Sequence, residues 1–286
     1  MVESILSYLW KATSATLIQI GVVLGPGLVL AFILSFEAGF VERRAVVIMG
    51  RGWYLGLFGW LGTIVHEFGH AVFCIIFGHK ITDMKLFDPD PETGSLGYVA
   101  HSYNPRSIYQ LMGNFFIGIG PILLGTAIIY LLSYLLLGLN PFSMAGNYNI
   151  AASQLNSWDA FGQLFQNLLS SSGSFFVEVF SWGNLSNWQL YAFIYLAFAI
   201  GSSITLSQSD LKGTSLGFSV ILGLVLVFNL ATVWAGDLTA RIVTTVVAAT
   251  PVFYASMVLI FLLNIAVACL VLLPLSVLGA GRSKSQ

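Results

Sequence analysis

Six long runs of apolar residues, at 13–36, 53–78, 108–138, 188–206, 215–236 and 243–278, leave this chain few ways to fold. A helix needs about 20 apolar residues to cross the roughly 30 Å hydrocarbon core of a bilayer. Each run comes close to that length or exceeds it. Little between them could face water, since only 8% of the 286 residues are charged and 57% are hydrophobic. An ordinary soluble domain carries about 25% charged residues, so lipid must be the solvent for most of this surface. Lipid offers no hydrogen bonds, and a spanning segment must satisfy its backbone internally, as a helix does. The expected fold is an all-α polytopic membrane protein with about six transmembrane helices.

The net charge of -1 provides no basic face for phosphates, which excludes nucleic acid as a partner. Cys74 and Cys269 both lie in apolar runs and read as small buried hydrophobes. The first run is too long for a signal-peptide core and is expected to be a retained span. Six spans put both termini on one side, together with Lys11, Lys80, Lys85, Arg106, Lys212, Arg282 and Lys284. The other side holds Arg43, Arg44, Arg51 and Arg241, and by the positive-inside rule the termini are cytoplasmic. The connection 139–187 contains no Lys or Arg, which suits an extracytoplasmic loop lying partly against the interface. A multi-pass protein of the plasma membrane is expected, with the bilayer as partner and oligomeric state left open.

Residues 80–104 read differently from their surroundings. Ile81 to Phe87 alternates apolar and polar, Asp88-Pro89-Asp90-Pro91-Glu92-Thr93-Gly94 supplies turn residues, and Leu96 to Tyr103 is again extended in character. That pattern predicts a β-hairpin with a long acidic turn. A free strand edge is costly in lipid, so the hairpin belongs in a protein-lined cavity or at the cytoplasmic interface. The third run contains Gly118, Gly120, Pro121 and Gly125, which predicts a kink or a close helix contact. The chain divides into an N-terminal span and connection at 1–52, a core at 53–217, and C-terminal spans at 218–286.

The second run contains His66-Glu67-Phe68-Gly69-His70. Histidines four apart lie on one helix face, about 6 Å apart along the axis, and can reach one zinc ion. Glu67 sits beside the first of them, where it can take a proton from a water that the ion has acidified. Ionisable side chains inside a membrane are costly and mark function. A catalytic zinc takes three protein ligands, which leaves a third to find. Cys74 is a turn too far along the helix, Glu178 and Asp159 lie in the outer loop, and Asp237 sits at the wrong end of the fifth run. His79 and His101 flank the hairpin on the correct side. Asp210 follows the fourth run at the cytoplasmic boundary and is the strongest candidate, although a turn aspartate paired with Lys212 would look the same.

A membrane-embedded H-E-x-x-H followed by a hairpin, a glycine-rich span and a late Asp resembles the site-2 protease family of intramembrane zinc metalloproteases. The resemblance covers about 53–217. It implies zinc held by His66, His70 and Asp210, with Glu67 as catalytic base and a membrane protein's transmembrane segment as substrate. Gly118-Ile119-Gly120-Pro121 looks like the family's Gly-Pro segment, and the hairpin is similar to its substrate-presenting β element, with Leu96 and Tyr98 toward the substrate. The family's third-ligand motif has Asn and Pro upstream of the Asp and Gly directly after it. Here Ser202 and Thr205 occupy the upstream positions, Leu211 follows, and the glycine is Gly213. Asn114 or Ser202 would then stand in as the polar group near the reacting carbonyl. The motif alone also allows a zinc-dependent hydrolase or scaffold acting on a lipid or small molecule. A metal-containing transporter is disfavoured because no second half mirrors the cluster.

Overall fold

The computed structural model describes residues 2–140, 159–269 and 274, except 91, 93, 206, 233 and 235–237. Its helices, in chain order, are α1 Val2–Met49, α2 Arg51–Ile76, α3 Ile108–Gly118, α4 Gly120–Leu137, α5 Asp159–Val179, α6 Trp182–Leu185, α7 Trp188–Gly201, α8 Gln208–Thr232 and α9 Leu238–Val267. Strands β1 Lys80–Lys85 and β2 Tyr98–Ser102 join α2 to α3. The outline is as expected: mostly helix with one small antiparallel hairpin. Among the described residues, four helices are long and apolar enough to cross a membrane, while Trp188–Gly201 and the Phe253–Val267 part of α9 are shorter apolar helical stretches. The 14 residues of α7 reach only about 21 Å at 1.5 Å per residue.

Hydropathy marks where a helix leaves lipid and says nothing of where it unwinds. The first apolar run covers only 13–36, yet α1 is 48 residues long and continues through Pro26. At about 72 Å it is more than twice the hydrocarbon thickness. Its polar ends, with Lys11 on one side and Glu42, Arg43 and Arg44 on the other, are good helix formers in water. The connection 139–187 contains a 21-residue helix, α5, which no apolar run announced. Its Gln, Asn and Ser residues keep its hydropathy low. Leu164, Ser171, Phe175 and Val179 nonetheless recur at helical spacing and are buried, and α5 packs on α9.

The third run breaks where its glycines and proline suggested. Ile119 is a turn between α3 and α4, and Pro121 stands in the first turn of α4, where its missing N–H costs nothing. The core runs between α1, α3, α4, α7 and α9, centred on Leu34, Phe115, Ile129, Phe193, Met257 and Ile260. Outside it, Phe32 and Phe36 are each 74% exposed, a face that only lipid or another helix would tolerate. A polar clamp ties α1 to α8, in which the Asn229 amide donates to Thr16 Oγ1 at 2.9 Å and Gln19 Oε1 at 3.0 Å.

The hairpin is sewn to the helices at both ends. Gln110 on α3 donates to the Gly78 carbonyl at 2.8 Å and accepts from the Asn104 N–H at 2.6 Å. Gly78, with φ +68°, turns the chain from α2 into β1. Lys80 pairs with Ser102 and Lys85 with Tyr98, with an irregularity between Ile81 and Asp83. Beyond the strands, Asp88 N donates to Leu96 O at 2.7 Å and Asp90 N to Ser95 O at 2.8 Å, so the acidic turn carries the pairing onward.

Candidate metal centre

The motif on α2 is held by neighbours on two sides. His66 Nδ1 lies 2.8 Å from the Ser203 carbonyl, and His70 Nδ1 lies 2.8 Å from the Ile117 carbonyl. A carbonyl only accepts, so each Nδ1 carries the hydrogen and each Nε2 keeps its lone pair. Such hydrogen bonds fix the tautomer and ring orientation of metal-binding histidines. Both free nitrogens turn to Asp210. His70 Nε2 is 3.4 Å from Asp210 Oδ1, and His66 Nε2 is 3.9 Å from Oδ2. One ligand atom from each of His66, His70 and Asp210 lies within 4.8 Å of the others.

Asp210 reaches this point from the start of α8. Its Oδ2 accepts from Ser207 N at 2.9 Å while its own N–H donates to Ser207 Oγ at 3.2 Å, a reciprocal capping box. No ion pair joins it to Lys212 among the described residues. The donor set therefore suits a divalent ion: two neutral imidazole lone pairs and a carboxylate converge with no Lys or Arg between them. A cation at their centre would turn mutual repulsion into attraction. Three such ligands leave a fourth position for water or substrate, as catalytic zinc requires.

Close backbone contacts set these distances. A Cβ on Gly69 would meet Pro121 Cα and N at 2.7 Å and Gly120 C at 2.8 Å. Glycine inside the motif thus lets α2 touch the first turn of α4, which leaves His70 beside the end of α3. On the other flank, a Cβ on Gly118 would lie 2.9 Å from the Asp210 carbonyl oxygen and collide with Thr214. That contact draws the first turn of α8 onto α3.

The hairpin covers the centre. A cavity of about 460 Å³ is lined by His66, Glu67, His70 and Asp210 together with Gly97, Tyr98, Val99, Ala100 and His101. Gly97 rests on Glu67, since a Cβ there would lie 2.9 Å from Glu67 Cγ. Glu67 is buried, and its carboxylate takes part in no hydrogen bond among the described residues. Asn114, from α3, also lines the cavity, and its buried Nδ2 has no partner among those residues. Tyr98 borders the cavity with its hydroxyl 2.5 Å from Asp83 Oδ2. That bond holds the exposed Asp83 carboxyl below the ordinary aspartate range and the phenol above its own.

Two expected substrate contacts lie elsewhere. Ser202 is buried with its hydroxyl donating to the Ala199 carbonyl at 3.1 Å, and Leu96 stands beside the cavity with its carbonyl tied to Asp88. Neither lines the cavity. Cys74 is fully buried packing, and Asp237 falls outside the described residues. His66, His70 and Asp210 are the one potential metal-holding trio among the described residues. The Ser203 and Ile117 carbonyls went unforeseen, because every residue type carries a carbonyl. The capping box was legible as Ser207-x-x-Asp210 before an apolar run.

Apolar helices around a His–His–Asp cluster define the class, a membrane-embedded protein whose site can hold a metal ion. The Peptidase M50B-like family profile matches residues 43–209, more than half of the chain, and the chain belongs to that family, which is of the site-2 protease kind. The matched segment includes His66, Glu67 and His70 and stops one residue short of Asp210. No curated protein and no solved structure matches the chain.

Proposed function

We propose that this chain is an intramembrane zinc metalloprotease, hydrolysing a peptide bond in or beside the transmembrane segment of a membrane-protein substrate. The observation that carries the reading is the convergence of His66, His70 and Asp210 beneath a strand that lines the same cavity. His66, His70 and Asp210 hold the zinc, which when bound polarises a carbonyl and acidifies water.

Glu67, which has no hydrogen-bond partner among the described residues, takes the proton of the attacking water and passes it to the leaving amine. A transmembrane helix hides its carbonyls in internal hydrogen bonds, so the substrate must unwind before attack. β2 receives the unwound stretch by strand addition, and Tyr98 flanks it. Asn114 Nδ2 donates to a substrate carbonyl, which satisfies two buried groups at once. The close fit of Gly97 over Glu67 keeps the base near the strand.

In the cell the protein is a multi-pass protein of the plasma membrane, with its termini and hairpin cytoplasmic; reporter tags on each end read that orientation. The deciding experiment is Glu67→Gln. It should retain zinc and leave a co-expressed single-span substrate intact, and cleavage at the wild-type level would refute the assignment.

A further inference from the structure

A second pair of histidines, one lining the cavity and the other bonded behind it, is not used by the reaction above. His79 follows α2, and His101 stands on β2 among the lining residues. His79 Nε2 lies 2.8 Å from the Gln110 carbonyl oxygen. That oxygen only accepts, so Nε2 carries the hydrogen and a neutral His79 presents a lone pair at Nδ1. His101 Nδ1 is 3.0 Å away and must then be the donor. Its remaining nitrogen, Nε2, is left as an acceptor with no partner among the described residues.

The chain of bonds is held in place. His79 stacks on Tyr103 with ring centroids 5.1 Å apart, and Gln110 fastens both ends of the hairpin. Burial, then His79, then His70, push His101 below the ordinary histidine value, which favours its neutral form. Two residues that line the cavity thus carry a polar atom without a partner among the described residues, the donor Asn114 Nδ2 and the acceptor His101 Nε2. A peptide unit offers the complement of both. A segment unwound into the cavity has N–H groups that strand addition leaves unpaired, and each is costly to bury alone.

We propose that His101 is a substrate-positioning residue: its Nε2 accepts a backbone N–H of the segment seated in the cavity, and His79 sets the tautomer that makes it an acceptor. This rests on the protease reading above.

Steady-state cleavage of a single-span substrate by the purified zinc-loaded protein tests it. His101→Leu should raise KM about tenfold, the scale of one lost buried hydrogen bond, with a smaller change in kcat and unchanged zinc content. His101→Gln, whose amide oxygen can accept, should recover to within about threefold of wild type. Nitrogen-15 spectra of histidine-labelled Glu67→Gln protein should show His101 with its hydrogen on Nδ1, and adding the substrate's transmembrane peptide should shift Nε2. A hydrogen on His101 Nε2, an unmoved Nε2 signal with peptide present, or a KM unchanged in His101→Leu would each overturn the proposal. Failure of the protease reading looks different: wild type and Glu67→Gln would cleave alike, whatever the spectra show.

Discussion

Replacing Gly69 with alanine asks how far the metal centre depends on the contact between α2 and α4. The new Cβ would sit 2.7 Å from Pro121 N and Cα and 2.8 Å from Gly120 C. All three are backbone atoms, so no rotamer change relieves the clash. Carbon contacts are comfortable from about 3.5 Å, and the helices must part by roughly 0.8 Å. Alanine favours a helix over glycine by about 0.5–1 kcal/mol, whereas overpacking costs about 1–3 kcal/mol. The net expectation is a loss of about 1–2 kcal/mol. The displacement falls on the next residue, His70, whose Nδ1 is 2.8 Å from the Ile117 carbonyl and whose Nε2 is 3.4 Å from Asp210. Loss of such an orienting bond typically lowers metal affinity by about 10–100-fold. Gly56→Ala, on the same helix with no atom within 4 Å of the added carbon, is the control. Zinc content against a graded chelator series, beside thermal unfolding in detergent, gives both readouts. Gly69→Ala should lose zinc at lower chelator and unfold earlier, and Gly56→Ala should do neither. Wild-type behaviour of Gly69→Ala in both assays would refute the reasoning.

Asp210→Ala removes the carboxylate that faces both histidines and should release zinc during purification, as read by elemental analysis; a full complement of metal would remove Asp210 from the ligand set. Gly97→Val should push the hairpin off Glu67, since even a Cβ meets Lys85 O at 2.7 Å and Glu67 Cγ at 2.9 Å. Cleavage should fall at least tenfold with zinc retained, and unimpaired cleavage would show that the hairpin does not govern the site. Asp83, depressed by its bond to Tyr98, contributes to hairpin stability above the ordinary aspartate range and loses that contribution as pH falls through its lowered value. Carboxyl carbon-13 titration should move Asp83 back toward the ordinary value in Tyr98→Phe; an unmoved titration would assign the depression to another group.

Local features were legible because their physics is local. Apolar runs announce helices in lipid whatever they pack against, and among the described residues four helices are long enough to cross a bilayer. The four-residue spacing places His66 and His70 on one face in any helix. Alternation and turn residues marked the hairpin, and Gly118 to Pro121 marked the break between α3 and α4. The helix α5 was hidden because hydropathy counts greasiness and not periodicity, and its polar residues diluted the signal. Ser202 was a plausible substrate contact by position, yet its hydroxyl bonds back into its own helix.

The motif that defines the site therefore belongs to the sequence alone: His66, Glu67 and His70 lie within five residues, and a single helix suffices to align them. Its completion belongs to the tertiary structure. Asp210 is 140 positions from His70, and of several candidate ligands only helix packing brings it to within 3.4 Å. The same packing delivers the Ser203 and Ile117 carbonyls that orient the rings, and seats Gly97 on Glu67. Backbone carbonyls are common to every residue, and a close approach depends on both partners at once. Neither leaves a mark on the chain until the helices meet.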